Sequence, residues 1–266
     1  MNGGVWIQGA GELASAVAVA LVRAGHRVVL AEVAAPLAVR RLACFAEAVY
    51  AGSCEVAGVA GYLRDPAEAA FRDGRVDVLV DPQARQLARL RPSVVVDARM
   101  TKRAAVPLGA GVPVIGLGPG FTCGVDAALV IETHRVAGPG RVISRGSAAP
   151  DTGVPGEVGG RTAERLLRSP AAGHLRPACS IGELVRCGQA VGEVAGLPVV
   201  ARLDGLLRGL VHERAELHEG VKVGDVDPRG ASVDPRAVSD KGRLIGDGVL
   251  AALARLGVAG EGAGHD

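Results

Sequence analysis

Aromatic residues, lysines and long hydrophobic runs are all scarce in this chain of 266 residues. It has one tryptophan, two tyrosines and three phenylalanines, and nearly all of its 30 basic residues are arginines. Because 48% of the residues are hydrophobic, the core must be built from Val, Ala, Leu and Ile. A chain of this length can form one large domain or two modest ones.

The charge distribution and the apolar segments exclude several classes of protein. The formal net charge of +2 is spread along the chain without a basic tract, and few aromatic residues are available to stack on bases, so we expect no nucleic-acid partner. The longest apolar run, Leu13 to Val22, is about half as long as a membrane span, and the N-terminus lacks the basic region of a signal peptide. We therefore expect a cytoplasmic protein with no membrane partner.

Cysteine and histidine residues show no metal-ligand spacing. The five cysteines form no CxxC pair and are odd in number, which predicts neither a disulfide framework nor a zinc site. Most of them are interpreted as small buried apolar residues. The six histidines are also scattered, so no metal is predicted.

The first half of the chain alternates short apolar runs with helix-forming sequence. The segment Val5–Gln8 predicts a strand, and the sequence after it predicts a helix that continues through Val22 and stops at Gly25. Four further strands are predicted at Arg27–Glu32, Val76–Asp81, Ser93–Ala98 and Val112–Leu117. This alternation predicts an α/β fold with a Rossmann-like, doubly wound parallel sheet.

A Gly-x-Gly-x-x-Ala motif, formed by Gly9, Gly11 and Ala14, connects the first strand to the first helix. In dinucleotide-binding proteins such a turn lets the backbone approach a phosphate, and an acid at the end of the second strand binds the ribose. Glu32 lies at that position, 21 residues after Gly11. The alternative is that the glycines only allow tight packing and that Glu32 is a solvated strand end.

A second glycine-rich loop, Gly116 to Gly124, follows the last predicted strand of this half and is expected at the same carboxyl edge of the sheet. The predicted ligand-binding residues come from these loops, the strand end and nearby basic segments: Gly9, Gly11, Glu12, Glu32, Arg40, Lys102, Gly116, Gly118, Gly120, Phe121 and Thr122. No catalytic residue is assigned. Within the loop, Cys123 is interpreted as an inert small side chain, although a thiol among backbone N–H groups could be nucleophilic.

The second half begins with a turn-rich passage and continues with an internal repeat. Val185-x-x-Gly188 followed by Val191-Gly-Glu-Val194 recurs 32 residues later as Leu217-x-x-Gly220 followed by Val223-Gly-Asp-Val226. The repeat resembles the biotinyl and lipoyl carrier domains, which are small barrel-sandwich modules. Because the segment between Val194 and Val200 contains no lysine, no covalent biotin or lipoate is expected.

The predicted organisation has four parts. They are a nucleotide-binding domain (1–136), a turn-rich connection (137–178), a barrel-sandwich module (179–229), and a C-terminal helix with its tail (230–266). The helix is predicted to start at Ser239, which is a good N-cap residue, and to carry Leu244, Ile245 and Val249 on one apolar stripe.

The chain as a whole resembles the YqeB-type family of accessory proteins for selenium-dependent molybdenum hydroxylases. The matching motifs are spread along the chain: GAGELA (9–14), AVRR (38–41), FAEAVY (45–50), IGLGPGF (115–121), VIET (130–133), GLLRGL (205–210), KVGDVDPR (222–229) and SDK (239–241). The nucleotide-binding half of such proteins looks related to the XdhC-type chaperones of the molybdenum cofactor. Cys123 departs from the resemblance, which favours alanine there.

The resemblance implies a maturation role with a molybdenum hydroxylase as partner. The implied ligand is molybdopterin cytosine dinucleotide or another nucleotide. Two other functions stay open at this point, an NAD(P)-dependent oxidoreductase and a non-catalytic docking scaffold. Neither Tyr50 nor Tyr62 begins a Tyr-x-x-x-Lys pair, which weighs against the oxidoreductase. A homodimer is compatible with the sequence, which does not determine the oligomeric state.

Overall fold

The chain forms two compact units, each assembled from separate segments. The computed structural model describes residues 4–101, 111–153 and 156–260. Unit 1 comprises Met1–Ala34, Cys44–Thr152 and Val238–Asp266, and unit 2 comprises Ala35–Ala43 and Gly153–Ala237. The predicted connection 137–178 is therefore shared between the units, and the C-terminal region is divided at residue 238.

Unit 1 is built on a nine-stranded sheet with the order β10-β9-β7-β6-β1-β2-β5-β4-β3. Its strands are β1 (Val5–Gln8), β2 (Val28–Glu32), β3 (Ser53–Val56), β4 (Val59–Leu63), β5 (Arg75–Val80), β6 (Val94–Asp97), β7 (Val114–Leu117), β9 (Leu129–Ile131) and β10 (Val142–Ile143). The seven inner strands are parallel, and the edge strands β3 and β10 pair antiparallel with their neighbours. A separate antiparallel pair consists of β8 (Thr122–Cys123) and β11 (Gly146–Ser147).

The helices of unit 1 are few. Helix α1 (Glu12–Arg23) follows β1, and α2 (Glu47–Ala51) and α3 (Leu87–Leu90) are single turns. The longest helix is α4 (Asp240–Arg255), which packs against α1. On the sheet, a cluster of buried residues that includes Trp6, Val29 and Val95 is joined by Leu87 of α3.

The predicted doubly wound Rossmann-like fold is wrong. Such a fold covers both faces of a parallel sheet with crossover helices. Here the sheet is mixed, and α1 is the only helix longer than five residues between its strands in the part of the chain that the structure describes. Helix α4 is part of unit 1.

Unit 2 contains two antiparallel sheets. The four-stranded sheet has the order β12-β18-β17-β14, and the three-stranded sheet has the order β13-β15-β16. The strands are β12 (Leu166–Arg168), β13 (Leu175–Pro177), β14 (Leu184–Val185), β15 (Ala190–Val194), β16 (Leu197–Val200), β17 (Gly205–Leu210) and β18 (Lys222–Asp227). A 3-10 turn, Arg41–Ala43, contacts β17. The unit includes this distant segment and extends over 153–237, and its separate four-stranded and three-stranded sheets contradict the predicted biotinyl-type fold.

The internal repeat nevertheless corresponds to equivalent positions in the two sheets. Gly188 and Gly220 both have positive φ angles, of 87° and 77°. The strands that follow them, β15 and β18, bury the matching valines of the two copies. The repeated sequence therefore encodes a repeated turn and strand.

Several local predictions are confirmed at the level of elements. The strands Val5–Gln8 and Val28–Glu32 and the helix Glu12–Arg23 lie where the sequence predicts them. Ser239 caps α4 by accepting a hydrogen bond from the backbone N–H of Gly242, but Leu244, predicted on the apolar stripe, is exposed. In the described residues no helix is long and apolar enough to cross a membrane.

Candidate functional site

The turn between β1 and α1 lies at the carboxyl end of a central strand. Gly9 has a φ of 105°, and a Cβ atom at this position would lie 2.9 Å from the carbonyl oxygen of Ala98. Gly9 is therefore required by its backbone conformation and by the neighbouring strand. Gly11 differs, because its φ of −68° suits any residue and, among the described residues, no atom outside the local chain lies within 4 Å of a Cβ placed there. The space in front of Gly11 is open.

Helix α1 begins at Glu12 without a side-chain cap. Its first helical hydrogen bond is donated by the N–H of Ser15 to the carbonyl oxygen of Gly11, and Gly11, the N-cap residue, supplies no side-chain cap. The first N–H groups of a helix have no partner within the helix, and the helix dipole favours negative charge beside them. This open end of α1 can accept an anionic group.

Glu32, the last residue of the adjacent strand β2, is hydrogen-bonded to the backbone of the turn between β1 and α1. Its Oε2 accepts a hydrogen bond of 2.7 Å from the N–H of Ala10, and its Oε1 accepts one of 2.8 Å from the N–H of Val33. Burial raises the pKa of Glu32 above its ordinary value, and these two backbone hydrogen bonds oppose the rise. Each carboxylate oxygen can accept more than one hydrogen bond, so the side chain retains acceptor capacity.

Ser15, which the sequence did not single out, connects the turn to the segment before α2. Its hydroxyl donates to the carbonyl oxygen of Ala10 and accepts from the N–H of Phe45, at 2.9 and 2.8 Å. The side chain is fully buried. The turn is thus fixed from both sides, by Glu32 and by Ser15.

Gly116 and Phe121 pack against each other in the second glycine-rich loop. A Cβ atom at Gly116 would collide with the ring of Phe121, which is 5% exposed and lies in a buried cluster with Val130 and Ile143. The ring of Phe121 therefore fills the core beside β7. In this position it does not present a face to a ligand.

The rest of the second loop is held by local hydrogen bonds. Gly118, with a φ of 77°, is packed against the side chain of Thr133, and Gly120 has a φ of 99°. Thr122 donates its N–H to Asp126, and its hydroxyl is 2.8 Å from that of Ser147. The strands β1 and β7 are separated by β6 alone, so both glycine-rich loops leave the same edge of the sheet.

Other predicted site residues lie elsewhere. Arg40 belongs to unit 2, where it is 5% exposed and donates hydrogen bonds to the carbonyl oxygens of Pro235 and Ala237. Its guanidinium joins two backbone segments of that unit. Lys102 lies outside the described residues.

Carboxylates stand at the ends of several strands of this sheet, and Glu32 is the one among them that was predicted as a site residue. Asp97 ends β6 and pairs with the guanidinium of Arg99 at 2.6 Å. Asp81, after β5, accepts the N–H groups of Arg85 and Gln86. Glu132, after β9, is fully buried and accepts three backbone N–H groups: Thr133, His134 and Ala149. The signal in the sequence is an acid at the end of an apolar strand or directly after it, as in β2, β5, β6 and β9.

Thiols and metal ligands contribute little to this edge. Cys123 is half-buried and donates to the carbonyl oxygen of Ala128 at 3.1 Å. Burial is the main cause that raises the pKa of Cys54 to about 11, which makes that thiol a poor nucleophile at neutral pH. No group of three His, Cys, Asp or Glu side chains within residues 4–101, 111–153 and 156–260 is arranged to hold a metal ion.

The chain is similar to one curated relative over nearly its whole length. It is 42% identical over 256 residues to the uncharacterized protein YqeB of Escherichia coli strain K12, an alignment covering 95% of this chain and 47% of the relative. The chain therefore spans about half the length of the curated relative that it matches. No protein-family model matches the chain.

Three solved structures show weak similarity. An aspartoacylase family protein of Mesorhizobium loti is 15% identical, with 85% of each chain covered and a TM-score of 0.27. The ectoine utilization protein EutE of Ruegeria pomeroyi is 12% identical, with 84% of this chain and 86% of that one covered and a TM-score of 0.24. The succinylglutamate desuccinylase/aspartoacylase of Rhodobacter sphaeroides is 26% identical over 25% of this chain and 22% of that one, with a TM-score of 0.22.

These findings contradict the function implied by the resemblance. The relative shares the YqeB name, but it is uncharacterized, and the three solved structures are acylase-type and ectoine-utilization proteins rather than XdhC-type chaperones. The XdhC relationship and the role in maturing a molybdenum hydroxylase are therefore wrong. TM-scores of 0.22 to 0.27 are too low to transfer a fold or a hydrolase activity in their place.

Proposed function

We propose that unit 1 binds a small nucleotide at the carboxyl end of β1, with a phosphate group in front of Gly11. The observation that carries this proposal is the open space at Gly11, where α1 begins without a side-chain cap. A glycine is not needed there for the backbone angle, because φ is −68°. The absence of a side chain therefore leaves room for a ligand to approach the backbone.

Glu32 supports the choice of a nucleotide over a bare anion. Its carboxylate lies beside the turn, since it is bonded to the N–H of Ala10, and it can accept a further hydrogen bond from a sugar hydroxyl. A phosphate and a hydroxyl-bearing ribose would thus meet complementary groups at neighbouring positions. The same carboxylate disfavours a second phosphate on the ribose, because like charges would be placed together.

The proposal is tested by replacing Gly11 with valine and titrating the full chain with ADP-ribose in a calorimeter. The valine side chain would occupy the open space, so we expect binding to weaken by about a hundredfold or more. The melting temperature should change little, because no neighbouring atom is displaced. A ligand that binds only the native state also raises the melting temperature, which gives a second readout.

A matched control is Ala24→Val, which places the same valine side chain at the exposed C-terminal end of α1. This variant should bind ADP-ribose as the unmodified chain does. If the unmodified chain binds neither ADP-ribose, ADP nor AMP, the proposal fails. It also fails if Gly11→Val is well folded and binds with unchanged affinity.

A further inference from the structure

Unit 2 contains a pocket that is independent of the glycine-rich turn. Its volume is about 410 Å³, which is within the range of small-molecule sites. All of its lining residues belong to unit 2. The wall includes the half-buried apolar residues Leu42 and Ile181, and behind them Leu210 and Val211 at the end of β17 are buried.

Basic side chains dominate the polar part of this pocket. Arg41 and Arg236 both line it, while Glu213 is its only acidic lining residue. Arg41 is fixed against the wall, because its Nε donates a hydrogen bond of 3.1 Å to the carbonyl oxygen of Leu210. The hydroxyl-bearing Ser180 also lines the pocket. The pocket therefore combines positive charge, a hydroxyl group and an apolar wall.

His212 also lines the pocket. Its Nδ1 accepts a hydrogen bond from the N–H of Arg214 at 3.1 Å, so the neutral ring carries its proton on Nε2 as a donor. Burial lowers the pKa of His212, the charges of Arg41 and Arg214 lower it further, and Glu213 opposes them. An anionic ligand would offset the positive electrostatic potential that Arg41 and Arg214 create at the His212 ring.

We propose that this pocket binds a small organic anion, whose carboxylate or phosphate group pairs with Arg41 and Arg236 and whose short apolar part contacts Leu42 and Ile181. Guanidinium groups bind both kinds of anion through charge-assisted hydrogen bonds, which are stronger than neutral ones. The apolar wall selects an organic anion over an inorganic one, because burying its alkyl part is favourable.

The experiment is a calorimetric titration of the full chain with butyrate, n-butyl phosphate and n-butanol. Butyrate and butyl phosphate distinguish the two possible anionic groups, and butanol carries the same alkyl part without charge. We expect at least one anion to bind and butanol not to bind. Arg236→Gln, at an exposed position, should weaken anion binding by about tenfold.

Arg186→Gln is the matched control, because Arg186 is an exposed arginine of the same unit that does not line the pocket. It should leave the affinity unchanged. As a second readout, the NMR titration of His212, assigned with His212→Gln, should show a higher pKa when the anion is bound.

The proposal is overturned if neither anion binds at about 10 mM, or if butanol binds as well as the anions. It is also overturned if Arg236→Gln and Arg186→Gln have equal affinities. Because Gly11 and the turn belong to unit 1, failure of this proposal leaves the nucleotide site untouched, and the reverse is also true.

Discussion

Gly11 and Gly116 are both glycines beside the strands of one sheet, but the structure requires them for different reasons. A side chain at Gly11 would meet open space, whereas one at Gly116 would enter the ring of Phe121. The second glycine therefore serves the packing of the core. A glycine-rich loop after a strand can thus be a binding loop or a close packing contact, and only the neighbouring side chains distinguish the two.

Gly116→Ala is expected to lower the free energy of unfolding by about 1 to 3 kcal/mol, because the added methyl group overpacks the site against Phe121. Urea denaturation followed by circular dichroism measures this change. Replacing Phe121 with leucine in the same chain should recover part of the loss, since the smaller side chain makes room. Equal stability of Gly116→Ala and the unmodified chain would contradict the packing role.

Glu32 gives the proposed nucleotide site a pH dependence. Its pKa is raised by burial, so the carboxylate loses its charge at a higher pH than an ordinary glutamate. The ratio of affinities for ADP-ribose and its 2′-phosphate should therefore fall as the pH is lowered through this raised pKa, because the repulsion of the extra phosphate disappears.

The 2′-phosphate itself also gains a proton near pH 6, which changes the ratio in the same direction. Glu32→Gln is the control for this contribution, because it removes the protein carboxylate while the 2′-phosphate of the ligand still titrates. Competition titrations between about pH 4.5 and 8 should show a larger change for the unmodified chain than for Glu32→Gln. Identical profiles would show that Glu32 does not face the ribose.

At the scale of elements, α1 and α4 approach each other through small residues. Cβ atoms built at Gly242 and Gly246 of α4 would each lie 2.8 Å from the Cβ atom of an alanine on α1, Ala16 and Ala20 respectively. Glycine costs a helix about 1 kcal/mol relative to alanine, so the close contact must offset that cost. The backbone of α4 at these glycines can therefore contact the alanine side chains of α1 directly.

Gly246→Ala should lower the thermal stability although alanine is the better helix former. The new methyl group would collide with Ala20, and we expect a net loss of about 1 to 2 kcal/mol. Ala20→Gly in the same chain should restore the space. Asp247→Ala, at an exposed position of the same helix, is the control and should be close to neutral in differential scanning calorimetry. A stabilised Gly246→Ala variant would contradict this packing.

At the scale of the whole molecule, both units are discontinuous in sequence. Unit 1 needs its last segment, because α4 covers the face of α1, and unit 2 takes its residues 35–43 from the loop after β2. No single cut in the chain therefore separates the two units, because each of them contains a segment that is distant in sequence from the rest of that unit.

A chain that ends at Ser239 lacks α4 and tests this dependence. We expect the backbone amides of β1 and α1 to lose much of their protection in hydrogen exchange, because the apolar face of α1 is exposed without α4. The amides of β17 and β18 in unit 2 should keep theirs. Unchanged protection in unit 1 would show that α4 is dispensable, and equal loss in both units would show that they unfold together.

Much of the local structure could be predicted from the sequence. The first strand, the glycine turn and α1 follow from the apolar periodicity and the spacing of Gly9, Gly11 and Ala14, and α4 follows from its N-cap at Ser239. These features depend on neighbours within a few residues, which is why a local pattern specifies them. The repeat likewise predicted its two glycine turns.

The tertiary structure decided the rest. The edge strands that make the sheet mixed, the contact between α1 and α4, and the core position of Phe121 all depend on partners far away in the sequence. The same holds for Arg40 and Arg41, which precede α2 in the sequence but belong to unit 2, where they contact residues more than 160 positions away. A distant partner leaves no periodic signal in the chain, because the surfaces that meet are complementary only once both are folded. Sequence therefore determined where the turn at Gly11 lies, and folding alone determined that no other described residue fills the space before it.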